Sequence, residues 1–302
     1  MTGCRVATVI VTYNRKELVR QTIAGVLAQT HDVHKVIVVD NASTDGTLEY
    51  LQSSGVFSDN RLEYCRLKTN TGGAGGFHEG FRRAHTQSVD WIWVMDDDVL
   101  PASTCLEQLL EWRQLSECIH PRRIDTDGKD FPWEHYVDIY TCSRTPLSDS
   151  SFRNGKGIAY TNVACFEGML VSGRVAALCG LPDRKYFIGE DDTLFGILAN
   201  QYTNVAYVSN AIMRRMLPPA VTIPPWRRYY AVRNKFLLLR DACDSLGLIV
   251  GPRQLSEFVV LRVFDLLGAL RHGVPSFVQA TRGFFDGLSY LRRRKEFSNP
   301  SV

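Results

Sequence analysis

The apolar positions along the first hundred residues switch between two periods. Val6-Ala-Thr-Val-Ile-Val11 is a short β-branched run. Leu18, Ile23, Val26 and Leu27 recur at helical spacing between Arg15 and Ala28, and Val36-Ile-Val-Val39 is a second buried-strand run. The cycle then repeats. A helix is predicted from about Thr44 to Leu51, a strand near Leu62 to Leu67, a glycine-rich loop, a helix from about Phe77 to Thr86, and a strand over Trp91 to Met95. Strands apolar along their whole length need cover on both faces, and alternating helices supply it. The predicted fold is α/β, with a mostly parallel central sheet and helices on both faces.

Beyond Met95 the spacing predicts a helix over Pro101 to Leu115, then loops or short strands through Arg122 to Asn154, where polar residues, Gly and Pro dominate. Helical periodicity returns at Val171 to Leu178 and at Asp191 to Ala199, and a strand follows from about Ala206. The prolines at 218, 219, 224 and 225 break the pattern, and from Trp226 onward the chain reads as helices. The expected organisation is a sheet domain over 1–235 and a C-terminal helical region over 236–302.

At 302 residues, 45% apolar and 22% charged, the chain has the composition of a globular protein, which excludes collagenous, coiled-coil and disordered classes. The net charge of +3 hides an asymmetry. Residues 251–302 hold eight basic and four acidic side chains, so the first 250 residues carry a net −1. A body of that charge gives no electrostatic reason to expect nucleic-acid binding, and attraction to an anionic surface belongs to the tail. The eight cysteines are scattered without metal-ligand spacing and read as reduced thiols of a cytoplasmic protein. Val6–Val11 is too short for the core of an export signal. The best membrane-span candidate, Phe258 to Leu270, is interrupted by Arg262 and Asp265.

Candidate chemistry clusters where strands end. Asp96-Asp97-Asp98 follows Trp91–Met95 without a gap, and ligands of open parallel sheets sit beyond such ends. Three successive carboxylates repel one another unless a cation or solvent compensates. Mn2+ or Mg2+ bound by Asp96 and Asp98 is one reading, and a solvated acidic turn is the other. Asn70-Thr-Gly-Gly-Ala-Gly-Gly76 precedes a predicted helix, where backbone amides favour anions, although a flexible connector would look the same. Asp40 ends the second strand, with Ser43 or Thr44 as helix-capping types behind it. Glu190-Asp191-Asp192 opens a helix, so its acids suit either the helix dipole or a general base. Trp226-Arg-Arg-Tyr-Tyr-Ala-Val-Arg233 combines guanidiniums with aromatic faces, fitted to phosphate and sugar or to an amphipathic helix start. His31 and His34 read as surface residues.

In this order the pieces resemble the family 2 inverting glycosyltransferases of GT-A fold. The resemblance covers about residues 5–235. It rests on Val9-Ile-Val-Thr-Tyr-Asn14, Val38-Val-Asp-Asn-Ala-Ser-Thr-Asp-Gly-Thr47, Asp96-Asp-Asp98, Gly168-Met-Leu-Val-Ser172 and Phe187-Ile-Gly-Glu-Asp-Asp192. The glycine-rich segment, the Trp91–Asp98 run and Tyr229-Tyr-Ala-Val-Arg-Asn234 are similar to the galactofuranosyltransferase and rhamnosyltransferase branch of cell-envelope polysaccharide synthesis. The resemblance implies a nucleotide-sugar donor, UDP-galactofuranose or else dTDP-rhamnose, and a glycan or polyprenyl-diphosphate-linked acceptor. It assigns donor contacts to Thr12, Tyr13, Asn14, Asp40, Asn70, Gly72, Gly73, Gly75, Gly76, Asp97, Arg228 and Arg233. Asp96 and Asp98 would hold Mn2+ or Mg2+, Asp192 would be the base with Asp191 beside it, and Trp226 and Tyr229 would meet the acceptor.

Two positions depart from that pattern. Relatives often carry a metal-completing His after the strand that follows the base helix, whereas Arg214 and Arg215 stand here, and a guanidinium cannot ligate a cation. Either carboxylates and diphosphate alone hold the metal, or an arginine contacts the diphosphate, or activity is weak. Leu194 also replaces an acid two residues past the base. A nucleotidyltransferase shares the fold and acidic site but needs a basic glycine-rich loop after the first strand, where this chain has Thr12-Tyr-Asn-Arg-Lys16. A non-catalytic nucleotide- or glycan-binding member remains as a third class. In the tail, Phe258, Leu261, Phe264 and Leu267, then Phe284, Phe285, Leu288 and Leu291, form apolar helical faces beside basic residues. They suit peripheral contact with the inner face of the membrane or a packed helical subdomain.

Overall fold

The structure is a computed structural model that describes residues 4–131, 135–147, 157–218 and 222–292. The chain divides into two compact units, Met1–Val137 with Arg144–Ala220, and Asp138–Ser143 with Val221–Val302.

The first unit begins as the periodicity predicts, with β1 (Val6–Thr12), α1 (Lys16–Leu27), β2 (Lys35–Asp40), α2 (Thr47–Ser53), β3 (Leu62–Arg66), α3 (Gly72–His85) and β4 (Trp91–Asp96). It continues with β5 (Val99–Pro101), α4 (Cys105–Glu111), β6 (Cys118–Ile124), β7 (His135–Val137), β8 (Arg144–Pro146) and β9 (Ile158–Thr161). β10 (Leu170–Ser172), α5 (Gly173–Cys179), α6 (Asp191–Ala199) and β11 (Val205–Arg215) complete it. The sheet order is β3-β2-β1-β4-β10-β6-β11-β5, with β9 also on β11. β3, β2, β1 and β4 are parallel, as are β6 and β11; β10, β5 and β9 join antiparallel. Two cores explain the unbroken apolar strands. Val6 and Ile10 of β1 point into one with Ile23, Trp93 and Leu106, while Ala7 and Val9 point into the other with Phe81, Phe166 and Phe195.

Three local expectations change. The predicted glycine-rich loop is the first turn of α3, which starts at Gly72 rather than Phe77. A Cβ on Gly76 would stand 2.4 Å from Val11 Cγ1, so this glycine lets the helix lie directly on β1. The helix predicted over Pro101–Leu115 shrinks to Cys105–Glu111, because Val99–Pro101 extends instead to pair with β11. Neither Ser43 nor Thr44 caps α2: Gly46 (φ 80°) precedes its first residue, and Ser43 Oγ accepts from the Asn14 N–H at 2.9 Å.

The second unit is built from α7 (Pro225–Leu246), α8 (Pro252–Leu270) and α9 (Val274–Arg292). Phe236 of α7 meets Phe258 at 5.0 Å and Phe284 at 5.3 Å between ring centroids, edge to face. The boundary expected at 235/236 falls inside α7, a continuous helix opened by proline at its first position. The apolar faces read from the sequence are divided: Phe258 and Phe284 are buried, whereas Phe264 (62%), Leu267 (52%) and Phe285 (61%) are exposed. Pro219 and the tail residues Arg293, Arg294, Lys295 and Glu296 lie outside the described residues. Among the described residues no helix is long and apolar enough to cross a membrane.

Candidate active site

Asp96 ends β4, and Asp97 and Asp98 form the turn that leads into β5, so the three side chains leave in different directions. Asp97 turns toward β1. Thr12 Oγ1 donates to it at 2.7 Å and Arg15 Nη1 at 2.9 Å, and Arg15 also reaches Asp98 Oδ2 at 2.8 Å. Asp96 and Asp98 come together with a third acid, Glu167, and one carboxylate oxygen from each lies within 4.8 Å of the other two. Burial, then the charges of Asp98, Glu167 and Asp97, push the Asp96 carboxyl well above the usual carboxylate range. Arg15 and Arg123 each pair with one member of the cluster, yet the Asp96 carboxyl stays raised, and three converging oxygen ligands of this kind fit a hard divalent cation such as Mg2+ or Mn2+.

Glu167 arrives there because the chain behind it is fastened to β4. Val94 O accepts from the Gly168 N–H at 2.8 Å, the Met169 carbonyl accepts from the Val94 N–H at 2.9 Å, and Trp93 Nε1 donates to the Gly168 carbonyl. Gly168 sits at φ +107°, where a Cβ would stand 2.7 Å from Pro121 Cγ, so only glycine fits. Glu167 Oε2 accepts from Nη1 of the buried Arg123 at 2.9 Å, and Arg215 Nη2 stands 3.5 Å from Oε1.

Asp192 follows a strained loop. Phe187 has φ 63° and ψ −58°, and the Ile188 N–H donates to the Tyr186 carbonyl at 2.7 Å, a γ-turn of the rare hand. The start of α3 secures that loop: the Ala74 N–H donates to the Phe187 carbonyl at 3.1 Å, and a Cβ on Gly72 would lie 1.9 Å from the same oxygen. Asp192 Oδ1 accepts from the Thr193 N–H at 2.7 Å. Burial, then the Glu190 charge, push Asp192 up to about 6, with Glu167 adding to the rise. Arg144, bonded to Glu190 at 2.6 Å, opposes the shift. Asp191 is buried in the first turn of α6, and burial followed by the Asp192 charge raises it well above its ordinary range. Leu194 is buried.

The other candidates are distributed more widely. Asp40 is 1% exposed, and its oxygens accept from the Ser43 N–H and the Tyr64 hydroxyl, with Arg66 Nε at 3.7 Å. The Tyr13 N–H approaches Asp97 at 3.4 Å, and Asn14 Oδ1 accepts from the Thr44 N–H. Asn70 Oδ1 accepts from the Gly72 N–H at 2.8 Å. Of the glycines, Gly75 faces Thr71 and Gly76 faces Val11, while a Cβ on Gly73 would meet nothing within 4 Å. Trp226, Arg228, Tyr229 and Arg233 belong to α7 of the second unit. There Arg233 lies 4.8 Å over the Tyr230 ring and donates to Asn234 Oδ1, and the Tyr229 hydroxyl donates to Asp286. His31 and His34 line an open polar hollow near the start of β1, where their ring nitrogens meet the Cys4 carbonyl and Arg5.

The sequence model of the family described as Glycosyl transferase family 2 matches residues 8–178, from β1 through most of α5. The chain belongs to glycosyl transferase family 2. Within the family it is 31% identical over 197 residues to the galactofuranosyltransferase GlfT1 of Mycolicibacterium smegmatis, covering 62% of this chain and 62% of that protein. The first unit's fold is that of GT-A glycosyltransferases. A structure of GalNAc-T7 with UDP, GalNAc and Mn2+ aligns with TM-score 0.61 at 15% identity, over 74% of this chain and 45% of that one. The mannosyltransferase PcManGT of Pyrobaculum calidifontis, in complex with GDP-Man and Mn2+, aligns with TM-score 0.57 at 14% identity, over 96% of this chain and 76% of that one.

Four charged residues of this candidate site escaped the sequence reading: Glu167, Arg15, Arg123 and Arg144. Glu167 carried a signal, standing one residue before Gly168-Met-Leu-Val-Ser172. Arg15 stood in the Thr12–Lys16 segment, while Arg123 and Arg144 lie in a stretch of weak periodicity.

Proposed function

We propose that the protein is a metal-dependent inverting glycosyltransferase that moves galactofuranose from UDP-galactofuranose to a cell-envelope glycan or polyprenyl-diphosphate-linked acceptor. The observation that carries this reading is the convergence of Asp96, Asp98 and Glu167 near a carboxyl, Asp192, held at about 6. Family membership supports the reaction class, and the likeness to GlfT1 supports the donor.

Asp96, Asp98 and Glu167 would hold the Mn2+ or Mg2+, which when bound supplies charge stabilisation for a departing nucleoside diphosphate. Asp192 acts as general base. Its carboxylate takes the acceptor hydroxyl's proton as that oxygen bonds to the anomeric carbon, and the bond to the diphosphate breaks with its electron pair leaving on UDP. One displacement inverts the anomeric centre and needs one base. A carboxyl at about 6 is ionised at neutral pH and still more basic than an ordinary aspartate, the compromise that general-base catalysis favours. Arg144, paired with Glu190, limits the rise through its own positive charge.

In this proposal the second unit meets the acceptor's membrane. Val260, Phe264, Leu267 and Leu270 of α8 and Val278 and Phe285 of α9 are exposed apolar residues, and Arg253, Arg271, Arg282 and Arg292 of the same segment are exposed as well. Exposed apolar residues and guanidiniums in one segment match an anionic lipid interface, so the enzyme would work peripherally at the cytoplasmic face.

The test offers UDP-galactofuranose or dTDP-rhamnose with Mn2+ and a polyprenyl-diphosphate-linked glycan, reading nucleotide release and the product's anomeric configuration by NMR. Metal-dependent transfer from UDP-galactofuranose with inversion is expected. Transfer from dTDP-rhamnose alone would move the assignment to the rhamnosyl donor, and no turnover of either would overturn the enzymatic reading.

A further inference from the structure

Glu167 has two sets of neighbours that compete for it. On one side are Asp96 and Asp98, whose oxygens lie within 4.8 Å of its own. On the other are two guanidiniums of different standing. Arg123 is fully enclosed, with Nη1 at 2.9 Å from Glu167 Oε2 and 3.1 Å from Cys165 Sγ, and burial leaves it nowhere to go. Arg215 is only partly buried, its side chain 18% exposed. It contacts Glu167 Oε1 at 3.5 Å, outside good hydrogen-bond range, and lies over the Phe131 ring at 4.3 Å. Its Nε–H is buried without a hydrogen-bond partner. A desolvated guanidinium donor left unmatched is costly, and it is relieved when an acceptor arrives.

The position of Arg215 is fixed by backbone. Its residue pairs with Val99 across β11 and β5, and the next N–H, that of Met216, donates to the Asp98 carbonyl at 2.8 Å. Arg214 beside it alternates to the other side and is exposed. One guanidinium of the pair is thus built into the rim of the carboxylate cluster, with a loose ion pair, an aromatic face to slide on, and an unmatched donor. A planar fork of this kind suits the paired oxygens of a diphosphate.

We propose that Arg215 is a donor-binding residue that takes the diphosphate of the nucleotide sugar, exchanging its loose contact with Glu167 for phosphoryl oxygens and leaving Glu167 to Arg123 and the cation. The inference rests on the glycosyltransferase reading and adds a named ligand for the diphosphate. It also gives the chain a cationic contact to the nucleotide that does not depend on metal.

The test compares wild type with Arg215→Gln, Arg215→Lys and Arg214→Gln, each shown folded by circular dichroism and thermal melting. Mn2+ affinity is read by electron paramagnetic resonance, and UDP affinity by calorimetry at saturating Mn2+. Expected is a loss of at least tenfold in UDP affinity for Arg215→Gln, partial recovery in Arg215→Lys, no change for Arg214→Gln, and Mn2+ affinity alone that is equal to or tighter than wild type. A residue that merely clamps Glu167 would alter Mn2+ binding and leave UDP affinity at saturating metal untouched, and that result overturns the inference. Wild-type protein that binds Mn2+ but no UDP would overturn the glycosyltransferase reading itself, and the inference with it.

Discussion

Asp96 and Asp97 are neighbours in the chain and opposites in environment. Asp97, which burial raises above the usual carboxylate range, has its oxygens filled by donors from Thr12, Arg15 and the Tyr13 N–H. Asp40 at the end of β2 is treated the same way by Ser43, Tyr64 and Arg66. Asp96 instead faces Asp98 and Glu167, and the acids there reinforce one another. A carboxylate whose acceptors are filled by the fold tightens that fold. One left among other carboxylates raises the energy of the empty site, and a ligand is needed to lower it. The contrast separates acids that hold the strand ends together from acids that are available for chemistry.

The largest effect should come from Asp192, on the unanswered side. Asp192→Asn is expected to lower kcat about 10³-fold, within the range for loss of a general base, while UDP binding measured by calorimetry is retained. The wild-type kcat/KM should fall tenfold per pH unit below about 6, where Asp192 becomes protonated. Stability should move the other way. The folded-state pKa of Asp192 is raised above its ordinary value, so the native state holds that proton more tightly than the unfolded chain does. The resulting destabilisation is absent below the unfolded pKa, grows as pH rises toward about 6, and is constant above. The Asn variant should therefore gain more in Tm at pH 8 than at pH 4.5. Near-normal transfer by the variant, or an equal Tm change at both pH values, would place Asp192 with the structural acids.

A mirrored pair of substitutions reads the contrast at adjacent residues. Asp97→Asn removes the negative charge beside Arg15 and replaces one of the two oxygens that accept from Thr12 and Arg15 with a donor, and should cost about 1–3 kcal/mol of stability, with Mn2+ affinity nearly unchanged. Asp96→Asn relieves repulsion and should leave Tm equal or higher while Mn2+ affinity falls tenfold or more. Thermal melts and paramagnetic resonance titrations check both, and the opposite assignment of losses would sink the distinction.

The alternating sheet, the strand-end aspartates and the helix opened by Asp191 and Asp192 were legible because each depends on local period and spacing. Other features depend on partners distant in sequence. Gly75 and Gly76 look like a loop until Thr71 and Val11 are seen against them, and the helix expected from Pro101 starts only at Cys105, because Val99–Pro101 pairs with β11. Glu167 was hidden because its role comes from a ladder between Gly168 and Val94, 74 residues apart. The tail shows a finer limit. Helical spacing identified Phe258, Phe264, Phe284 and Phe285 as apolar, but only packing against Phe236 decides that Phe258 and Phe284 are core while Phe264 and Phe285 are surface.

That last division carries the smallest predicted effect. Phe264→Ser with Leu267→Ser removes two exposed apolar side chains whose burial in lipid would be worth about 1.5–3 kcal/mol each when complete, and less at an interface. Sedimentation with phosphatidylglycerol-containing vesicles should weaken about tenfold in the double variant. Arg271→Ser should weaken it about fivefold, roughly the contribution of one guanidinium near an anionic surface. Because these side chains touch solvent, circular dichroism and Tm should match wild type, whereas Phe258→Ser opens a cavity beside Phe236 and should unfold the helices. Zwitterionic vesicles should bind either protein weakly. Equal binding by wild type and the double variant would remove lipid as the occupant. A doubled mass by light scattering, lost in the double variant, would give the same face to a second copy of the chain.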